Sequence, residues 1–130
     1  MVEVLVVLGR LLFGLYWLYN ALNHLLIAPK ALSEYAASHG VPAPTLAVYV
    51  GGILLAVGGI TILSGMYVPV GVAALVVFLG PVTFWMHAFW RVRDPVQRMV
   101  ELTQFTKNMA LIGATLLLLA IPESWWRLAD

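Results

Sequence analysis

The sequence contains no cysteine and few charged residues. Without a thiol, the chain itself offers no disulfide, no thiolate metal site and no cysteine ligand for an iron–sulfur cluster. Charged residues make up 10% of the 130 residues, against about 25% in typical soluble domains, and 62% of the residues are hydrophobic. These proportions exclude a soluble domain, because so few charges cannot cover a core with a water-facing surface.

Four apolar runs fill most of the chain, at residues 4–27, 45–63, 69–90 and 103–121. Each run is about as long as a helix needs to cross the hydrocarbon core of a membrane, roughly 17–25 residues. The segment between the second and third runs is a tight, uncharged turn, so these two helices are expected to be antiparallel neighbours. We therefore predict an all-α fold, an integral membrane up-down four-helix bundle that forms a single domain over residues 1–130.

The segment between the first two runs has the pattern of a short helix. Pro29 suits the first turn of such a helix and Gly40 suits its end. Leu32 and Tyr35 fall on one face of it. We predict a short interfacial helix in the first loop, lying over the mouth of the bundle.

Two glycine pairs in the second run, Gly51-Gly52 and Gly58-Gly59, are seven residues apart, with Ala56 between them. Small residues at helical spacing allow a neighbouring helix to approach closely in a membrane. We predict that Gly52 and Gly59 lie at a close helix contact. We do not expect a phosphate-binding loop here, because the glycines lie within a long apolar helix and the Lys-Ser/Thr that completes such a loop is missing.

Basic residues are unevenly distributed between the two sides of the predicted bundle. Lys30 lies in the first loop and Arg91, Arg93 and Arg98 lie in the third, whereas Arg127 is on the side of the termini. Since Lys and Arg in short loops prefer the cytoplasm, we predict a cell-membrane protein with loops one and three cytoplasmic and both termini outside. The basic loop indicates topology and lipid contact rather than nucleic-acid binding.

Polar residues inside the runs fall on single helical faces. On the first run, Arg10, Phe13, Trp17, Asn20 and His24 lie within about a quarter of the circumference. Because unpaired polar side chains that face lipid are costly, this stripe is expected to face protein or water. Arg10 is near the opposite end from His24, and we interpret it as a snorkelling or Glu3-paired residue, with anion binding as the alternative.

Chain direction places His24 and His87 on the same side of the membrane at similar depth, where Lys107 and Asn108 of the fourth run would join them. Two histidines on different helices can bind haem iron, so a small b-type haem protein with His24 and His87 as ligands is one hypothesis. No further His or carboxylate accompanies the pair within the predicted spans, which disfavours other metals. Alternatively, each histidine only ties helices together through hydrogen bonds.

A quinone pocket is the hypothesis that these residues favour. A quinone carbonyl needs a hydrogen-bond donor that can also deliver a proton, and histidine titrates near the working pH. Aromatic rings hold the flat head group, and Trp17 and Trp85 are placed to supply such walls. The predicted pocket residues are His24, His87, Trp17, Asn20, Lys107, Asn108, Trp85 and Arg10.

The chain resembles the DoxX family of small four-span membrane proteins along nearly its whole length. The resemblance rests on residues 9–15 (GRLLFGL), 40–44 (GVPAP), 87–90 (HAFW) and 107–113 (KNMALIG), in that order. The family includes the small subunits of thiosulfate:quinone oxidoreductases, which implies a quinone-linked redox role. It supports the positions Arg10, His87, Lys107 and Asn108. Val48 and Tyr49 stand where family members often carry a Glu, and Asn23-His24 where a Lys is common.

The sequence therefore predicts the membrane subunit of an oxidoreductase that presents a quinone to a redox partner. The partner is expected to be a soluble or membrane redox protein, and a homo-oligomer is also compatible with the sequence. A cofactor-free anchor or assembly subunit, which holds a soluble enzyme through the basic third loop, is the alternative.

Overall fold

The computed structural model describes residues 1–126, with the side chains of residues 125 and 126 outside the description. This part of the chain is helical and contains no strand. The helices are α1 (Val2–Leu22), α2 (Pro29–Ser38), α3 (Pro44–Ser64), α4 (Val68–Met86), α5 (Pro95–Leu117) and α6 (Glu123–Trp126). A π-helical turn, Asn23–Ile27, extends α1, and 3₁₀ turns follow α4 at Phe89–Arg91 and α5 at Leu118–Ala120. Arg127 and Asp130 lie outside the described residues.

Residues 1–126 contain four helical segments that are long and apolar enough to cross a membrane. These are Val2–Ile27, Pro44–Ser64, Val68–Arg91 and Pro95–Ala120. The prediction of an all-α bundle with four membrane helices is therefore confirmed. The chain is a multi-pass membrane protein. The short helix predicted in the first loop is also present, as α2.

Proline occupies the first turn of each helix from α2 to α5. Its fixed φ suits a helix, and its missing N–H removes a donor that would have no partner there. At the start of α5, the Asp94 carboxylate accepts a hydrogen bond from the backbone N–H of Gln97 at 2.9 Å. The last membrane helix thus begins at Pro95, before the apolar run that starts at residue 103, and Glu101 lies inside it.

Each membrane helix packs on the next one along the chain: α1 on α3, α3 on α4, and α4 on α5. The contacts between α1 and α3 run in opposite directions, since Gly52 faces Leu25 whereas Gly59 faces Leu18. This is the up-down arrangement. By contrast, α1 and α5 share little close contact. The bundle is therefore open along the seam between its first and last membrane helices.

The core of the bundle lies where α1, α3 and α4 meet, and α3 contributes its glycines to this contact. The buried core residues are Trp17, Ala21, Leu55, Ile62, Leu75 and Leu79. A Cβ atom added at Gly52 would lie 2.7 Å from the Leu25 side chain, and one at Gly59 would lie 3.0 Å from the backbone nitrogen of Leu18. The predicted close contact at both glycines is confirmed.

Candidate functional site

His87 lies at the end of α4, where the helix stops and the chain turns towards the third loop. Its Nδ1–H donates a hydrogen bond to Oε2 of Glu101 at 2.8 Å. The two side chains are 13% and 4% exposed, so the pair is almost removed from solvent. Since Nδ1 is engaged and no described residue bonds Nε2, the imidazole presents its second nitrogen for a ligand.

Glu101 reaches this position because α5 begins at Pro95 and places residue 101 on the face of the helix that packs on α4. One helical turn earlier, the Gln97 amide donates a hydrogen bond from Nε2 to Oε1 of Glu101 at 3.1 Å. Each carboxylate oxygen therefore has its own partner, His87 on one side and Gln97 on the other. A buried carboxylate with both oxygens bonded is held in one orientation.

The short helix α2 brings a phenol to the same end of the bundle. Burial raises the pKa of Tyr35, and the negative charge of Glu101 raises it further. The Trp85 indole donates a hydrogen bond from Nε1 to the backbone oxygen of His39 at 3.0 Å. Through this bond the end of α2 is tied to α4 two residues before His87.

His24 lies in the π-helical turn after α1 and has different partners from His87. Its Nδ1–H donates to the backbone oxygen of Asn20 at 2.8 Å, and its ring meets the edge of the Phe78 ring at a centroid distance of 5.5 Å. Among residues 1–126, no hydrogen bond or ring contact joins the two histidines. No group of three or more His, Cys, Asp or Glu residues in that range could hold a metal ion.

Trp17 and Asn20, the other predicted pocket residues on α1, are directed into the helix and the core. Trp17 is 2% exposed and makes edge contacts with the rings of Phe13 and Tyr16. Its indole N–H is buried without a hydrogen-bond partner among the described residues. Asn20 donates from Nδ2 to the backbone oxygen of Tyr16 at 2.8 Å. The structure thus places Trp17 in the core and not at the bundle mouth.

Arg10, interpreted from the sequence as a snorkelling or Glu3-paired residue, is buried against the last turn of α3. The residue is 4% exposed, and its guanidinium donates from Nε to the backbone oxygen of Ile62 at 3.2 Å and from Nη2 to that of Leu63 at 2.7 Å. These carbonyls belong to the last turn of α3, where a helix leaves its acceptors without intrahelical partners. A cation there also complements the negative end of the helix dipole.

The predicted residues of the fourth run divide between two faces of α5. Asn108 is buried on the interior face, seven residues after Glu101 and seven before the buried Thr115. Lys107 lies on the flank towards α1, where its ammonium group donates to Oε1 of Gln104 at 2.5 Å. The interior face of α5 therefore carries one polar side chain every second turn.

Glu101 and Gln97 are the site residues that the sequence analysis missed. They precede the apolar run that starts at residue 103, so they were not considered among the polar residues of the predicted span. The Asp94-Pro95 pair was the available signal, because it marks a helix start from which residue 101 falls in line with Asn108.

A comparison with protein-family models matches residues 5–88, more than half of the chain, to the DoxX family. Searches of curated proteins and of solved structures find no match. The matched range covers α1 to α4 and ends just after His87, so it includes the histidine of the pair and excludes its carboxylate partner.

Proposed function

The chain belongs to the DoxX family, a membrane protein family often tied to oxidoreductase-related function, and we propose that it is the membrane subunit of a quinone-linked oxidoreductase. In this proposal the head group of a quinone binds at the loop end of the bundle and exchanges protons with His87. The observation that carries the proposal is the buried hydrogen bond between His87 and Glu101.

The interconversion of quinone and quinol requires a group that can donate and accept protons. Reduction of a quinone to a quinol takes up two electrons and two protons, and each proton goes to a carbonyl oxygen. With Nδ1–H held by Glu101, Nε2 of His87 can accept a proton from a quinol or, once protonated, donate one to a quinone. The carboxylate keeps the ring oriented and offsets the positive charge that the imidazole gains.

The His87–Glu101 pair also lies at a suitable position, because a quinone site must be reached both from the membrane and from water. His87 lies between the apolar part of α4 and Trp90-Arg91, an aromatic and basic pair typical of a membrane interface. A hydrophobic head group can approach from the membrane. Protons can approach from water on the side of α2, where Tyr35 is 44% exposed.

Electrons have to come from or go to a partner, since the chain offers no thiolate and no cluster of three metal-ligating side chains in residues 1–126. The exposed arginines between α4 and the first turn of α5, Arg91, Arg93 and Arg98, favour a partner with an acidic surface. The same arginines support the second candidate function, an anchor that holds a soluble enzyme without binding a cofactor itself.

The test of this proposal is the affinity of a quinone analogue for the detergent-solubilised protein. His87→Ala should weaken binding by about 1–3 kcal/mol, the usual cost of leaving a buried acceptor unpaired. His87→Gln should weaken it as well, while its amide keeps the hydrogen bond to Glu101 and hence the fold. His39→Gln is the matched control. Among residues 1–126, the ring of His39 bonds only to Ser38 and to the backbone oxygen of Tyr35, both in α2.

Three results would redirect the proposal. Equal affinity in the wild type and both His87 variants would favour the anchor function. Weaker binding in His24→Ala alone would move the head group to the turn after α1. A Soret band in the visible spectrum of the purified protein, lost in either histidine variant, would support the haem hypothesis instead.

A further inference from the structure

The seam between α1 and α5 contains two adjoining cavities. The larger, of about 550 Å³, lies towards the termini and is lined by residues of both helices, among them Leu5, Val6 and Ala114, and by Leu118 of the turn after α5. The smaller, of about 380 Å³, continues from it towards the middle of the bundle and is lined by Leu12, Tyr16, Lys107 and Leu111. Gly9 and Phe13 line both cavities. Together they form one cleft, which we call the α1–α5 cleft.

The walls of this cleft are apolar over most of its length, and both belong to segments long enough to cross a membrane. Because α1 and α5 share little close contact, we expect the cleft to open sideways towards the lipid hydrocarbon. From Val2 to Tyr16 the α1 wall rises about 21 Å at 1.5 Å per residue. This shape accommodates a long, narrow hydrocarbon chain.

Two cations interrupt the apolar lining. Arg10 lines the larger cavity, and its guanidinium donates to backbone oxygens of α3. Lys107 lies at the inner end of the cleft. Its ammonium group bonds the neutral amide of Gln104, and no carboxylate among residues 1–126 pairs with it. A cation inside a membrane segment is costly unless an electronegative group meets it. An occupant of the cleft that carries oxygen atoms at one end would supply such a group.

The depth of Lys107 decides between two kinds of amphiphile. It lies about 18 Å along α5 from Pro95 and shares its cavity with Gly9 and Tyr16 of the central part of α1. A phospholipid would have to draw its charged phosphate out of the interface to reach that depth. The ring of a quinone is neutral and dissolves in hydrocarbon, so it can be held there.

We propose that the α1–α5 cleft admits a prenylquinone from the membrane and holds its isoprenoid chain, with Lys107 marking the end at which the head group enters the bundle. This inference rests on the proposed function. From Lys107 the polar side chains Gln104 and Glu101 continue along α5 towards His87, over a rise of about 9 Å. The cleft and the His87–Glu101 pair are thus connected along one helix.

Gly9 offers a direct test. A Cβ atom at this position would meet nothing within 4 Å, so the side chain of Gly9→Leu starts from open space and extends into the cleft. The matched control is Gly113→Leu, since Gly113 is equally unobstructed and lines neither cavity. Ala114→Leu narrows the cleft from its other wall and serves as the second variant if Gly9→Leu does not fold.

The probes are a long-chain ubiquinone and the same ring without a chain. Both filling variants should bind the long-chain quinone about tenfold more weakly, the effect of losing the packing of several chain carbons. They should bind the chainless ring as the wild type does, and Gly113→Leu should match the wild type with both probes. Lys107→Met should slow or weaken the binding of the long-chain probe more than either filling variant does.

The outcomes separate the two proposals. If the filling variants bind the long-chain quinone normally while His87→Gln still weakens binding of the chainless ring, the cleft inference is wrong and the proposed function stands. If the chainless ring binds independently of His87 but the long-chain probe still depends on Gly9, the head group lies elsewhere and the cleft inference stands. If Gly9→Leu only reduces co-purified phospholipid, the cleft is a lipid site and the inference is wrong.

Discussion

A carboxylate that is 4% exposed is tolerated at position 101 because each of its oxygens is bonded to a neighbour. Arg10 follows the same rule on the opposite side of the membrane, where backbone carbonyls of α3 accept its N–H groups. In both cases the desolvation of a charged group is offset by specific partners. At the scale of the residue, the buried charges of Arg10 and Glu101 therefore have partners within the bundle itself.

This rule predicts the effect of removing the carboxylate. Glu101→Ala should lower the free energy of unfolding of the detergent-solubilised protein by about 1–3 kcal/mol, because His87 and Gln97 both lose a buried partner. The unfolding midpoint should fall accordingly. Glu34→Ala, at an exposed carboxylate on α2, should leave the unfolding midpoint unchanged. Equal midpoints for the two variants would mean that the His87–Glu101 bond contributes nothing to stability.

Some residues of the candidate site could be predicted from the sequence and others could not. His87 was identified because it closes an apolar run next to an interfacial Trp-Arg pair. Its partner Glu101 was not, because hydropathy locates the apolar part of a helix and not its polar first turns. The bonding of Arg10 could not be predicted either, since it depends on which helix end lies beside it in space.

At the scale of the element, the glycines of α3 set how closely the helices approach. Gly59 lies against the backbone of Leu18, whereas Gly113 on α5 faces open space. Gly59→Leu should therefore destabilise the bundle by about 1–3 kcal/mol or more, the range for overpacking a close contact. Gly113→Leu, the matched control, should leave stability unchanged or raise it slightly, because leucine is the better helix former.

Circular-dichroism melting of both variants in the same detergent measures this difference. Equal melting of the wild type and Gly59→Leu would show that α1 can shift away from α3 at no cost. The spacing of the glycine pairs was sufficient to predict this contact from sequence, because the requirement for small residues is local to one helix.

At the scale of the whole molecule, the sequence predicted the number and order of the membrane helices but not the open seam between α1 and α5. In a membrane, a face that packs on protein and a face that meets lipid can carry the same leucines and valines. The α1–α5 cleft is lined by such residues, so hydropathy could not distinguish it from a packed interface. Only the arrangement of all four helices reveals it.

The orientation of the molecule determines from which compartment His87 would exchange protons. Lys30, Arg91, Arg93 and Arg98 lie at the same end of the bundle as His87, which predicts a cytoplasmic site and termini outside. A periplasmic reporter enzyme fused after Asp130 should be active and a cytoplasmic fluorophore fused there should be dark. As a control, replacing the three loop arginines with glutamine should reduce this preference, because it removes the charges that retain the loop in the cytoplasm. The opposite reporter pattern in the unmodified chain would place His87 on the outer side, and the proposed redox partner would then have to dock there.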